Sequence, residues 1–198
     1  KLIGTFNAYN LLAIFATADI LGMEPLENLR LLSVLESVSG RFQHFISESG
    51  ITAIVDYAHT PDALKNVIET INDIRTGNDS LITVVGCGGD RDSKKRPLMG
   101  QISSSLSSKV IFTSDNPRSE SAELIIEQMN LGVSPVDFKK VLSISSREMA
   151  IKTACQLARP KDIILIAGKG HETYQEVNGK KNHFDDYEIV KNYLTKII

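Results

Sequence analysis

The sequence predicts an α/β fold, a mostly parallel sheet flanked by helices, with residues 1–38 as a helical segment in front of it. Three observations predict it. From residue 41 onward, short runs of β-branched and aliphatic residues alternate with stretches of helical periodicity, the pattern of strand–helix–strand units. The run Ile163-Ile164-Leu165-Ile166 has no polar alternation, so both faces of that strand are expected to be covered. Four strand ends open directly into polar turns, and parallel strands would bring those turns to one edge, where open α/β sheets bind ligands.

Taken in order, residues 1–22 read as a helix, because Tyr9, Leu12, Ala13, Ala16 and Ile20 recur at helical spacing and Gly22 suits the C-terminal cap. Residues 23–39 read as a second amphipathic helix carrying Leu26, Leu29, Leu32 and Leu35, ending at a module boundary near Ser39-Gly40-Arg41. Strands are expected at 42–47 and 52–56 around a hairpin-like turn, Glu48-Ser49-Gly50. Thr60 then caps a helix with Pro61 at its first position, continuing over 63–74. Further strands are expected at 81–85, 109–112, 140–144 and 162–167, with helices at 98–108, 122–131 and 147–158. For the helix at 122–131, Ser119 and Ser121 are both candidate caps. Asn178-Gly179 signals a type I′ hairpin, and an amphipathic helix over 187–198 follows.

The turns carry the chemistry. Thr113-Ser114-Asp115-Asn116-Pro117-Arg118 follows a strand that Pro117 stops, so an anion, an amide and a guanidinium share a stiff turn. An amino acid bears a carboxylate and an ammonium, and reading it takes a fixed cation close to a fixed anion or amide. A surface turn with a salt-bridged arginine fits the same residues. Gly86-Cys87-Gly88-Gly89-Asp90-Arg91-Asp92 lets backbone approach a ligand, but it is neither a GxGxxG nor a GxxxxGK[ST] phosphate loop. Asp56 ends a strand ahead of His59, a place from which a carboxylate holds ribose hydroxyls or caps its own loop. Asn7 and Asn10 share a helix face; an amide suits an adenine edge, and equally a cap or solvent. Gly168-Lys169-Gly170-His171-Glu172 is the fourth polar turn.

Composition excludes several classes. With 22 Lys+Arg against 24 Asp+Glu, nothing favours nucleic acid or an anionic membrane. Two distant cysteines, Cys87 and Cys155, form no CxxC and offer no metal site, which fits a reducing cytoplasm. No apolar run reaches the roughly 20 residues of a membrane span. Lys1 stands where a complete chain would start with Met, so the chain reads as a fragment.

Six motifs in order resemble the C-terminal part of the Mur ligases. They are Gly4-Thr5-Phe6-Asn7-Ala8-Tyr9-Asn10, Ser39-Gly40-Arg41-Phe42, Asp56-Tyr57-Ala58-His59-Thr60-Pro61-Asp62, Gly86 to Asp92 with Lys95-Arg96-Pro97-Leu98-Met99-Gly100, Asp115-Asn116-Pro117-Arg118, and Gly168 to Glu172. The Asp-Asn-Pro-Arg form resembles the branch that adds meso-diaminopimelate rather than lysine. Ser93-Lys94 departs from a Lys-Gly pair expected after Asp-Arg-Asp.

The resemblance implies a Rossmann-like C-terminal domain over 39–198, preceded by the tail of a central ATPase domain over 1–38. It implies an amide ligation in bacterial peptidoglycan synthesis, in which ATP activates the D-glutamyl carboxylate of a UDP-MurNAc-dipeptide and the amine of meso-diaminopimelate attacks. By position, Arg91, Asp115, Asn116, Arg118, Gly168 and Glu172 look like the diaminopimelate site. Arg91 and Arg118 would take carboxylates, Asn116 a distal polar group and Glu172 an ammonium. Asn7, Asn10, Arg41 and Asp56 resemble contacts to ATP. The phosphate loop, the Mg2+ ligands and the N-terminal and central domains would lie outside this chain, which alone would not turn over. It would act in the cytoplasm, with no catalytic residue and no metal ligand of its own. A guanidinium left without its carboxylate partner would reject lysine by roughly 10⁴-fold. Another Mur ligase, a folylpolyglutamate synthetase or a non-catalytic nucleotide-binding module would share the fold without this turn.

Overall fold

A computed structural model describes residues 4–35 and 37–196. The chain divides into two units, residues 1–38 and 39–198.

The first unit is a helical pair. α1 (Thr5–Ile20) ends as its sequence predicts, with Gly22 N–H donating to Asp19 and Met23 N–H to Ala18 in a Schellman closure. α2 (Pro25–Ser33) is shorter than the expected 23–39, because Glu24 caps it and Pro25 can only begin it. The two helices are tied by Asn28, which is 2 % exposed and donates to the Phe15 carbonyl at 3.0 Å. Leu26 and Leu29, expected on a buried stripe, are exposed, as are Tyr9, Leu12 and Ile20. The expected helix ends at 1–3 and 197–198 lie outside the described residues.

The second unit holds the sheet. β1 (Gln43–Ile46) and β2 (Thr52–Asp56) form an antiparallel hairpin, and α3 (Pro61–Ile74) follows, with the Thr60 hydroxyl accepting from Ala63 N–H as predicted. β3 (Leu81–Val85) leads to α4 (Lys95–Leu106), then β4 (Lys109–Phe112) and α5 (Ala122–Asn130). After a 3₁₀ turn at Pro135–Lys140 come β5 (Val141–Ser143), α6 (Arg147–Leu157) and β6 (Ile163–Ala167). The chain closes with a separate hairpin, β7 (Tyr174–Val177) and β8 (Lys180–His183), and α7 (Asp186–Lys196). Asn178 and Gly179 both have positive φ, as a type I′ turn requires. Ser121, not Ser119, caps α5.

α4 starts three residues earlier than the expected 98 and takes Pro97 into its first turn. The proline costs nothing there, since the first amides of a helix have no partner inside it. This places Arg96 on the helix rather than in the charged loop.

The sheet order is β1-β2-β6-β3-β4-β5, and every pairing except β1 with β2 is parallel. The register aligns Asp56, Ala167, Val85, Phe112 and Ser143 side by side, so the loops after β2, β6, β3 and β4 leave from one edge, as expected. Ala53, Val55, Ile82, Val84, Ile111, Ile164 and Ile166 pack with Ala150, Ile151 and Ala154 of α6 and Val190 and Leu194 of α7. The alternate strand residues turn to the other face, where α3, α4 and α5 pack in sequence.

Arg147 and Asp186, at the starts of α6 and α7, are 1 % and 0 % exposed. Nε and Nη2 of Arg147 meet the two Asp186 oxygens at 2.8 Å each, and the remaining donors reach Ser114 O (3.3 Å) and Ala167 O (3.1 Å) at the ends of β4 and β6. Removing one partner strands a buried charge. Asp186→Asn is therefore expected to lower the unfolding free energy by roughly 3–5 kcal/mol, and the double change Arg147→Met with Asp186→Leu by less. Urea titration checks this, and equal losses would show that charge compensation is not what the pair contributes.

Candidate functional site

The loops at the shared edge surround a cavity of about 640 Å³. Its lining includes Arg91, Asp115, Asn116, Arg118, Gly168 and Glu172, all six residues that the motifs single out as amino-acid contacts, together with Tyr57, His59 and Tyr174. Four loops far apart in sequence thus meet at one small-molecule-sized hollow.

The Asp-Asn-Pro-Arg turn is the middle of the site. Asp115 Oδ1 accepts the Asn116 N–H at 2.7 Å. Gly168 has a φ of 117°, which favours glycine, and a Cβ there would come within 2.8 Å of Asp115 Oδ2. Asn116 is 1 % exposed, and its amide is engaged by protein groups: Nδ2 donates to Glu172 Oε2 (2.8 Å), while Oδ1 accepts from Lys169 Nζ (3.1 Å) and Glu176 N–H (2.9 Å). The expectation of a direct contact to a distal ligand group is thereby altered. Asn116 lines the cavity but spends its oxygen on the fold.

Arg118 adopts φ of 52°, a left-handed conformation uncommon for a residue with a side chain. It is fixed on both sides by β7 and the turn beyond, its N–H donating to Glu176 O (3.1 Å) and its carbonyl accepting from Asn178 N–H (2.7 Å). The guanidinium donates to Gly89 O at 2.7 Å and stands 3.8 Å from Glu176 Oε2, with the side chain 20 % exposed. It is neither orphaned nor fully buried, contrary to the premise of a strong penalty against lysine.

The glycine-rich loop lies on this turn. Gly89 N–H donates to Asn116 O at 2.9 Å, and a Cβ on Gly89 would collide with the Pro117 carbonyl. Arg91 is exposed at the cavity mouth, with Nη1 donating to the Asp90 carbonyl at 3.3 Å. Beneath the loop, Arg96 is 1 % exposed and forks onto Glu120, Nη1 and Nη2 each at 2.8 Å from a carboxylate oxygen. Glu120 also accepts the Asp90 N–H at 2.6 Å. The Arg96 fork first, and that amide second, hold the Glu120 carboxyl well below its ordinary range, at about 2.

The residues expected to contact ATP are split between the units. Asn7 and Asn10 do share a face of α1, with Asn10 Nδ2 3.4 Å from Asn7 Oδ1, but they belong to the first unit. In the second, the Arg41 guanidinium stacks over the Tyr57 ring at 4.7 Å, and Tyr57 packs against His59 and His171. Asp56 Oδ2 accepts the Phe42 N–H at 2.7 Å. Burial raises its pKa, against the opposing pull of the Phe42 and Ala58 amides and of Arg41. Half-buried and clamped to residue 42, Asp56 stabilises its own loop whatever else it holds.

Sequence reasoning missed Arg96, Glu120, Lys169, Glu176 and the role of β7. Arg96 and Lys169 were hidden inside charged or glycine-rich loops that read as solvated. Only the hairpin signal at 178–179 hinted that a strand would fold back on the Asp-Asn-Pro-Arg turn. Because the Glu120 value is depressed in the folded state, its ionised form contributes stability above the ordinary carboxylate range that is lost as pH falls toward 2. Glu120→Gln should cost on the order of 1 kcal/mol at pH 7, allowing for solvent screening of a one-third exposed group, and almost nothing at pH 2. Urea unfolding at both pH values reads the difference, and a pH-independent cost would refute the pairing as its source.

A family model described as Mur ligase, glutamate ligase domain, matches residues 40–170. The UDP-N-acetylmuramoyl-L-alanyl-D-glutamate–2,6-diaminopimelate ligase of Cytophaga hutchinsonii is 57% identical over 194 residues, covering 98% of this chain and 40% of the relative. The ligase of the same name from Lactiplantibacillus plantarum is 48% identical over 188 residues, covering 95% and 37%. A solved structure of a ligase with that name superimposes with a TM-score of 0.75 at 40% identity, over 98% of this chain and 39% of that one. The UDP-N-acetylmuramate-alanine ligase of Thermotoga maritima, at 19% identity and a TM-score of 0.65 over 98% of this chain and 38% of its own, shares the fold. The chain spans about 40% of the length of the first of these relatives. With a family match over most of the sheet-bearing unit and relatives of this identity along almost its whole length, the chain belongs to the Mur ligase family.

Proposed function

We propose that this chain is the C-terminal part of an ATP-dependent ligase that joins meso-diaminopimelate to UDP-N-acetylmuramoyl-L-alanyl-D-glutamate in the bacterial cytoplasm, a step of peptidoglycan synthesis. The observation that carries the reading is the convergence of Arg91, Arg118 and Glu172 on one cavity. Two guanidiniums and a carboxylate complement a ligand with carboxylates at both ends and an ammonium between them. The names of these two relatives agree with that ligand chemistry.

In this reading Arg118 is the fixed carboxylate anchor and Arg91 the adaptable one at the mouth. Glu172 takes an ammonium, Asp115 and Gly168 shape the wall, and Asn116 holds Glu172 in place. Holding the amine in one orientation raises its effective concentration toward an activated acyl group. ATP, when bound, supplies the phosphoryl group that makes the D-glutamyl carboxylate electrophilic. Asn7, Asn10, Arg41 and Asp56 are the proposed contacts of this chain to it, and a guanidinium on an aromatic face beside a carboxylate fits a nucleotide's mixed charges. The phosphate loop and Mg2+ ligands are assigned to the part of the protein preceding this chain, and residues 1–38 to the tail of that central domain. The exposed Tyr9, Leu12, Ile20 and Leu26 support that assignment, since apolar residues are normally exposed singly.

The partners that Arg118 already has weaken discrimination by unpaired charge. Lysine would leave the guanidinium on Gly89 O and near Glu176, so its rejection is expected to fall well short of the roughly 10⁴-fold of an orphaned group. In the intact protein, Arg118→Ala should raise the KM for meso-diaminopimelate by roughly 10–100-fold and leave that for ATP nearly unchanged. Steady-state phosphate release checks this; equal changes in both constants would remove Arg118 from the amino-acid site.

A further inference from the structure

Lys169 lies between two glycines at the sheet edge, yet its side chain is 0 % exposed. Lysines are almost never fully buried unless paired, so the burial has a cause. Its Nζ donates to Asn116 Oδ1 at 3.1 Å and to Glu172 Oε2 at 3.3 Å, and it faces the Tyr174 ring at 5.4 Å. Lys169 does not line the cavity, whereas Asn116 and Glu172 do. The ammonium therefore stands behind the cavity wall, on the far side of two groups that face inward.

This arrangement settles both orientations. An oxygen that receives the Lys169 ammonium and the Glu176 N–H must be Oδ1 of Asn116, so the amide nitrogen is left to donate to Glu172. Glu172 Oε2 then has two donors on it, and Oε1 makes no hydrogen bond among the described residues. We propose that Lys169 is a positioning residue for a ligand's primary ammonium, holding the Glu172 carboxylate turned so that Oε1 faces the cavity. The inference rests on the reading of this cavity as the site of a diamino diacid. A second cation nearby would repel the incoming ammonium, but the Glu172 carboxylate lies between the two. Without Lys169 that carboxylate, 19 % exposed, would keep one amide donor, lose its counter-charge and be free to rotate.

Calorimetric titration of the chain with meso-2,6-diaminopimelate and with pimelate, the same seven-carbon diacid without amino groups, tests this. Lys169→Met is expected to weaken diaminopimelate binding about tenfold, the size of one charge-assisted hydrogen bond, and to leave pimelate binding unchanged. Equal weakening for both ligands, or undiminished diaminopimelate binding, would overturn the proposal. Glu172→Gln carries the same expectation should Lys169→Met fail to fold; a Glu172→Gln variant that still prefers diaminopimelate over pimelate as strongly as the wild type would overturn it too. Failure of the wild-type chain to bind either diacid would instead remove the reading of the cavity, and this inference with it.

Discussion

The edge that carries the cavity depends on the buried pair of Arg147 and Asp186. In the sheet β4 and β6 are the two neighbours of β3, and the guanidinium takes a carbonyl from the end of each. It thereby sets how the strands leave the sheet around the glycine-rich turn that follows β3. Asp186 ties the same group to the start of α7, so the helices on one face and the loops on the edge share one anchor. Burying two charges is costly, and such a pair yields little net stability over a well-packed apolar one. What it does here is join elements: one guanidinium meets both oxygens of Asp186, Ser114 O and Ala167 O at once.

From that anchor the loops are built on one another. β7 forms hydrogen bonds along the Asp-Asn-Pro-Arg turn, the glycine-rich loop lies on the turn, and Glu120 with Arg96 hold that loop from below. Two non-glycine residues, Asp90 and Arg118, sit at φ of 53° and 52°. Such conformations cost on the order of 1–2 kcal/mol each and persist where neighbours over-determine them. Asp90 has its N–H on Glu120 and its carboxylate on Ser119. Arg118 has both backbone groups on the strand and turn of the β7–β8 hairpin. Phe42, Lys161 and Asn178 also have positive φ, so such conformations are not confined to the cavity, but Arg118 combines one with a place in its lining.

The strands were legible in the sequence because β-branched runs buried on both faces leave a periodicity no surface segment imitates, as at 163–166. The polar turns were legible for the opposite reason, since Gly and Pro at a strand's end mark where it must stop. What escaped was long-range. Arg147 at the start of a helix reads as a solvated cation until Asp186, 39 residues on, is known to meet it. Lys169 between glycines reads as a loop charge for the same reason. Pro97 looked like a boundary and was instead a first-turn residue. The leucines of 23–39 predicted a buried stripe, although within their own unit only the side facing α1 has anything to pack on. Asn116 was found by motif, but its hold on Glu172, Lys169 and Glu176 was not, because a motif names a residue without saying which of its atoms the fold consumes.

The cavity is lined by groups suited to holding charge. Cys87, the thiol on its wall, is pushed up to about 12, chiefly by burial, and so stays protonated and unreactive. Two of the ions lining it have a counter-ion at their back, Glu176 for Arg118 and Lys169 for Glu172. This pairing keeps a cluster of like and unlike charges folded without a ligand, at the expense of part of the attraction each could offer one. The proposed site would select by the spacing of its open positions, a guanidinium edge and a carboxylate oxygen held by partners on separate loops, and therefore by the rigidity of the loop stack beneath them.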